Sequence, residues 1–432
     1  MTVESRRIVR TPAIGEGMLK MKQWVLLGAI VISTAVSSYP MDGYDYTGIK
    51  RLEQARLTQE GKFAGKPQPS GGTLPLEQVD IRLRDKPDFE IPPPDPAFTR
   101  KLEDIVGRGD YSVALLDITD PGNPKYAEHN ADVTRNPGSV GKLVVALAVF
   151  QLLADLYPSE IEKRRSILKD TLVTADEFVL SDHHTVRFFN VDTQHLSRRQ
   201  LRPGDQGTLW EFMDWMVSAS SNSAASAVMK ELTLMAHFRE RYPVSREEAD
   251  AYIDNSPKQE LSDTFTKALQ EPVTRNGLEI TKLRQGSFFT RTGDIKIPGP
   301  NSYATPRELM HYMVKMEKGQ LVDDWSSREI KRLMYSTERR IRYAASPALF
   351  PAAVYFKSGS LFRCHSRPCP SYRGDKENLM NSVAMVETPA ETRKRHYIVT
   401  LMTNVLGVNS ASAHAALAAR IDKLMESMHP EP

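Results

Sequence analysis

Asn136-Pro137-Gly138-Ser139-Val140-Gly141-Lys142, followed without a break by the apolar run 143–153, decides how this chain is read. Proline and glycine interrupt the backbone just ahead of a segment rich in Leu, Val, Ala and Phe, a pattern that predicts a buried helix. Ser139 and Lys142 stand three positions apart at its start, so a helical backbone puts both on one face, with Cβ atoms roughly 5–6 Å apart. A serine hydroxyl is a weak nucleophile until a base takes its proton, and a desolvated lysine is such a base. The plain alternative is a helix N-cap beside a solvated lysine. S-x-x-K is common by chance, and the chain holds a second copy, Ser166-Ile167-Leu168-Lys169. That copy follows the charge run Glu162-Lys163-Arg164-Arg165 and leads no core helix.

Two further short motifs extend the first. Ser220-Ser221-Asn222 precedes a run of small residues and is the one S-x-N that begins in serine; Lys357-Ser358-Gly359 is the one K-[ST]-G and follows a strand pattern over 352–356. Each alone also reads as ordinary turn chemistry. Their order, S-x-x-K then S-x-N then K-[ST]-G, is the combination found in class A β-lactamases and penicillin-binding proteins. On these residues the sequence resembles the class A β-lactamase family over about residues 97–428, including Ala304-Thr305-Pro306-Arg307-Glu308-Leu309-Met310, which looks like that family's helix start after its Ω-loop. The resemblance implies an α/β fold of two lobes. An antiparallel sheet built from the N- and C-terminal strands would be flanked by helices, with an all-helical lobe over about 145–340 and a cleft between the lobes.

It also implies roles. Ser139 would be the acylated nucleophile and Lys142 its base, Ser220 would pass a proton to the leaving amine, and Asn222 would hold the substrate's side-chain amide. Lys357 and Ser358 would bind the substrate carboxylate, and the backbone N–H groups of Ser139 and Ser360 would form an oxyanion hole. Independently of family, acyl transfer needs a nucleophile, a proton relay and fixed donors where negative charge develops. Gly359 permits close backbone approach on an edge strand. Arg363 is a candidate second anchor for a carboxylate, because a guanidinium offers a two-pronged match.

One departure stands out. The family's E-x-x-L-N glutamate, which activates the deacylating water, has no counterpart in Phe288-Phe289-Thr290-Arg291-Thr292-Gly293-Asp294-Ile295-Lys296-Ile297-Pro298-Gly299. Acylation is therefore better supported than rapid turnover. The long spacings between motifs predict insertions that reshape the cleft rim around 182–190 and 239–282. The pair His183-His184 with Phe188-Phe189 reads as a surface loop with a partly buried aromatic pair, not as a metal site.

The rest of the chain sets context. At 432 residues and 40% hydrophobic content there is ample material for a core, and a formal charge of +3 gives no argument for nucleic acid. The apolar run 24–36, preceded by Lys20 and Lys22, has the length of a signal-peptide core; cleavage is expected near Ser37 or Ser38, with an uncleaved anchor as the alternative. Export to the periplasm or cell exterior is the expectation, with contact to a membrane only through such an anchor. The only two cysteines, Cys364 and Cys369, then read as a disulfide closing a short loop. A zinc site would need more ligands than His365 adds, so neither a metal nor another cofactor is expected.

Residues 39–96 are rich in Pro and polar side chains and read as a linker or wrapped arm with little core of its own. A helix is expected from near Ala97 on the spacing of Phe98, Leu102 and Val106, then a hairpin of Tyr111–Asp117 and Lys125–His129 joined by Asp120-Pro121-Gly122-Asn123. Capping-box spacings place helix starts at Thr208, Thr305 and Ser326. Late strands are expected at 352–356, 382–387 and 397–403, and a last helix over 412–427. The expected partner is a small-molecule β-lactam or a cell-wall peptide, handled by a monomer.

Overall fold

The first strand pair forms as its turn chemistry dictates. Tyr111–Asp117 and Lys125–His129 pair antiparallel across the Asp120–Asn123 turn. Arg395–Asn404 adds to the other side of Tyr111–Asp117, followed by Glu377–Thr388 and then Ala353–Arg363 at the edge. All five strands are antiparallel, so the two ends of the domain complete one sheet. The fold comes from a computed structural model that describes residues 37–430; the run 24–36, and with it the expected signal or anchor, lies outside the described residues.

Side chains alternate between the two sheet faces, and both faces are covered. Val113, Leu115, Val354, Phe356, Val386 and Val399 meet Phe98, Leu102 and Val106 of helix Pro96–Val106 and Leu417 and Ile421 of helix Ser410–Met428. On the opposite face Leu116, Tyr355, Val383, Met385 and Ile398 join the larger core built around helix Lys142–Leu156. That helix is apolar all round, and thirteen of its fifteen residues are buried, as expected for the central helix of a domain. With the turn that leads into it, Gly138–Leu156 is long and apolar enough to cross a membrane by composition, yet most of that stretch is buried in the core. Each fully buried Leu, Val or Phe contributes about 1.5–3 kcal/mol.

Several expectations shift on contact with tertiary structure. Lys357-Ser358-Gly359 lies in the middle of the eleven-residue strand Ala353–Arg363, not at its end. Helix Leu209–Val217 has the reciprocal Thr208–Glu211 cap, and all nine of its residues are buried. At Thr305 the side chain accepts from the Glu308 N–H, while the Glu308 carboxylate accepts from the Glu279 N–H at 2.7 Å. The Ser326 start is displaced: Asp323 caps helix Asp324–Tyr335, and Ser326 sits in its first turn. The helical lobe also contains three short strand pairs, among them the hairpin Val186–Asn190 with His195–Arg199.

Residues 39–96 carry far more buried surface than their composition suggested. They contain helices Gly43–Thr47 and Lys50–Gln59 and place Tyr39, Ile49, Leu52, Leu74, Val79 and Leu83 in the larger core. Arg51 pairs with Asp214 of the buried helix at 2.5 Å, both side chains nearly inaccessible. Arg82 pairs with Glu387 at 3.1 Å, and Lys331 holds Glu317 and Glu387 at 2.7 and 2.9 Å. Removing one partner of such a pair strands a buried charge, at a cost of about 3–5 kcal/mol.

Candidate functional site

A single 3-10 turn, Gly138–Gly141, precedes helix Lys142–Leu156 and sets the site. Gly138 takes φ +53°, and a Cβ there would lie 3.2 Å from the Ser360 nitrogen. Opposite, a Cβ on Gly359 would lie 2.3 Å from the Pro137 carbonyl and 2.6 Å from the Ser139 nitrogen. The two backbones therefore touch, which two glycines alone permit. The close approach at Gly359 is to the nucleophile turn itself, and it sets the Ser139 and Ser360 N–H groups on adjoining stretches of chain. Asn381 donates to the Asn136 carbonyl at 2.9 Å and fastens the same turn to the neighbouring strand.

The three motifs converge here. The Lys142 amine lies 3.0 Å from the Ser139 hydroxyl oxygen, 2.6 Å from the Ser220 carbonyl and 2.8 Å from the Asn222 side-chain oxygen. Lys357 donates to the Ser220 hydroxyl at 2.8 Å and to its neighbour's carbonyl at 3.0 Å. Ser220 is held at φ +59°, an uncommon conformation for a non-glycine residue of the kind that persists where surroundings over-determine it. Those surroundings are the Ser221 cap on helix Asn222–Phe238 and the Ser221 N–H to Trp215 carbonyl bond at 3.1 Å.

Burial decides the charge state. Lys142 has no accessible surface, and desolvation brings its pKa down to about 7, against a smaller upward pull from Asp182 and a further downward push from Arg342. Lys357 is pushed well below the usual lysine range by burial first, then by Lys142 and Arg342. Among the described residues, no carboxylate pairs with Lys142, Lys357 or Arg342. A buried amine without a counter-ion sheds its proton, so the Lys142 amine can serve as a base toward Ser139.

Sequence reasoning missed two contributors. Arg342 donates to the Ser358 hydroxyl at 2.6 Å and the Ser360 hydroxyl at 2.8 Å, forming a cationic wall along the edge strand. Arg363, the expected anchor, instead lies exposed and pairs with Glu377 at 2.8 Å. The only sequence hint of Arg342 was the basic stretch Arg339-Arg340-Ile341-Arg342 between helix and strand. The second is Asp182. Its Oδ2 accepts from the Ser221 hydroxyl and from the backbone N–H groups of Asn222 and Ser223 at 2.8–3.0 Å, while Oδ1 meets Nδ1 of His184 at 2.6 Å.

His183 and His184, read as part of a surface loop, line the hollow of about 760 Å³ that contains Ser139, Ser220, Asn222, Arg342 and Ser360. Of the aromatic pair, Phe189 is buried and Phe188 half-buried, both within a strand. Asp182, His183 and His184 bring metal-ligating atoms within 4.8 Å of one another. The Asp182 carboxylate is nonetheless committed to capping the Asn222 helix and to orienting His184. On the other side of Lys142, the stretch lacking the family glutamate lays the Phe289 ring 4.7 Å from the amine. Asp294, the nearest carboxylate in sequence, is exposed on helix Arg291–Lys296. Cys364 and Cys369 are joined by a disulfide just beyond the edge strand.

Known proteins share this architecture. The chain is similar to the TLA-3 extended-spectrum beta-lactamase, with a TM-score of 0.50, 13% identity and coverage of 77% of this chain and 98% of that one. It is similar also to a beta-lactamase from Chitinophaga pinensis, with a TM-score of 0.49, 16% identity and coverage of 76% and 98%. For PBP-A the TM-score is 0.48, the identity 14% and the coverage 78% and 100%. At such identities the first likeness speaks to fold alone. No curated protein matches the chain. The beta-lactamase enzyme family, however, matches residues 97–423, about three quarters of the sequence, and the chain belongs to that family.

Proposed function

We propose that this hydrolase of the beta-lactamase family opens a β-lactam, or a related amide, through an acyl-enzyme on Ser139. One observation carries the reading: an amine whose pKa burial brings down to about 7 stands 3.0 Å from the Ser139 hydroxyl. Lys142 takes the Ser139 proton as Oγ attacks the carbonyl carbon. The Ser139 and Ser360 N–H groups receive the developing oxyanion, and Ser220, held by Lys357, delivers a proton to the departing nitrogen. Asn222 meets the substrate's amide, and Arg342 with Ser358 and Ser360 receives its carboxylate. The disulfide fits an exported protein, periplasmic or extracellular.

A second reading, a D,D-peptidase or amidase acting on cell-wall peptides with slow β-lactam turnover, is favoured by the missing family glutamate in 288–299, a stretch that brings the Phe289 ring and no carboxylate to 4.7 Å from the Lys142 amine. A sensor that is acylated and never released is the third. A chromogenic cephalosporin and a labelled penicillin separate them. Fast colour marks the lactamase, a lasting label without colour the peptidase or sensor. No label in wild type, matched by Ser139→Ala, rejects serine acylation altogether.

A further inference from the structure

The hollow that holds Ser139 is lined by no carboxylate: its polar walls are Ser139, Ser220, Asn222, the two histidines, Arg342, Arg363 and hydroxyls. Hydrolysis of a serine ester needs a base for the attacking water; Lys142 is engaged with Ser139, Ser220 and Asn222, and among the side chains that line the hollow the imidazoles are the nitrogen bases left for that role. Of the two, His183 is exposed, its ring tilted 30° to that of His184 at a centroid distance of 4.3 Å. His184 is the oriented one. Its Nδ1 meets Asp182 Oδ1 at 2.6 Å, and the same carboxylate oxygen accepts its backbone N–H at 3.1 Å. Asp182 is itself fixed by three donors at the start of the Asn222 helix. Among the described residues Nε2 has no hydrogen-bond partner, so one nitrogen is anchored and the other is free beside the cleft. That is the division of labour by which an acid group orients a histidine base.

We propose that His184, oriented by Asp182, is a catalytic residue of the hydrolytic half-reaction, the base that activates water against the Ser139 ester. The inference rests on the acyl-enzyme reading above. Nε2 takes a proton from water as the water oxygen bonds to the ester carbon. The tetrahedral intermediate then collapses, the bond from that carbon to Ser139 Oγ breaks, and Oγ receives the proton from the imidazolium. The acid leaves and the free serine is restored.

The charges around His184 suit this role. Asp182 and His183 face it from its own loop, Lys142 from the central helix, Lys357 from the edge strand. Arg342, Arg198, Glu338 and Arg339 line the surrounding hollows. Burial lowers its pKa below the ordinary histidine range; Asp182 opposes this, while Lys142 and His183 reinforce it. The ring is thus neutral at pH 7, the form that accepts a proton.

The test is rapid-mixing kinetics with a penicillin, following acylation and deacylation separately in wild type, His184→Gln, His184→Ala and His183→Gln. The expected result is deacylation slowed by about 10²-fold or more in both His184 variants. Acylation stays within a few-fold of wild type, His183→Gln slows deacylation far less than His184→Gln, and added imidazole partly restores His184→Ala. Equal deacylation rates in wild type and His184→Gln would overturn the inference while leaving the acyl-enzyme intact. So would a parallel loss of both steps with lowered Tm and no imidazole rescue, which marks a structural role. A wild-type adduct that never hydrolyses overturns this inference alone; absence of any adduct overturns the proposed function as well.

Discussion

Ser139/Lys142 and Ser166/Lys169 share a motif and differ in everything around it. In the first, the lysine is inaccessible, its amine meets the serine oxygen, and two other chain segments close over it. In the second, on helix Ile161–Asp170, the serine donates back to the Lys163 carbonyl at 3.0 Å, and the lysine reaches away to the Asp45 carbonyl at 2.7 Å. The spacing alone therefore makes no site. Desolvation by a core helix and the arrival of Ser220, Asn222 and Lys357 convert a common tetrapeptide into a nucleophile with its base.

Substitution breaks the comparison most sharply at the hydroxyls. Ser139→Ala is expected to abolish covalent labelling by penicillin and chromogenic turnover, whereas Ser166→Ala keeps both at wild-type rates. Next come the amines. Lys142→Met should slow acylation by about 10²–10⁴-fold, measured by stopped flow, while Lys169→Met leaves it unchanged. Gly359→Ala forces a Cβ against the Pro137 carbonyl and the Ser139 nitrogen. Since a displacement of about 1 Å costs on the order of 10²-fold in rate, acylation should fall by up to that factor with the fold retained by circular dichroism.

A pH series sharpens the contrast further. Lys142 acts only when deprotonated, so with a pKa of about 7 the acylation rate should rise through neutrality and level off above it. Below pH 7 it should fall about tenfold per unit. The smallest effect concerns stability. The unfolded chain holds Lys142 protonated at neutral pH, whereas the folded chain, with a pKa of about 7, holds it only partly protonated, so folding releases a fraction of a proton at some cost. Lys142→Met should raise Tm, while Lys169→Met should leave stability within about 0.5 kcal/mol.

Much of this was legible in the sequence because the signals were local. Tyr111–Asp117 and Lys125–His129 are marked by alternation and a strong turn, and their bounds agree with the structure to the residue. The Ser139, Ser220 and Lys357 motifs met as their order implied. What escaped was set by partners distant in sequence. Asp182 serves a helix that begins forty positions later, with nothing in its own neighbourhood to announce it. Arg342 gains meaning only from the strand that folds beside it. Residues 39–96 looked like a linker because their apolar side chains are sparse and lack a period; they bury through scattered anchors and the Arg51 and Arg82 ion pairs. His184 looked like surface because a two-histidine loop carries no periodicity, yet a capped helix pins it to the cleft.

The most direct measurement is intact mass followed by peptide mapping after brief exposure to a penicillin. The expected result is one adduct of the antibiotic's mass, confined to the peptide that carries Ser139 and absent from Ser139→Ala. An adduct that survives Ser139→Ala, or a wild-type chain that never gains mass, would contradict the central claim.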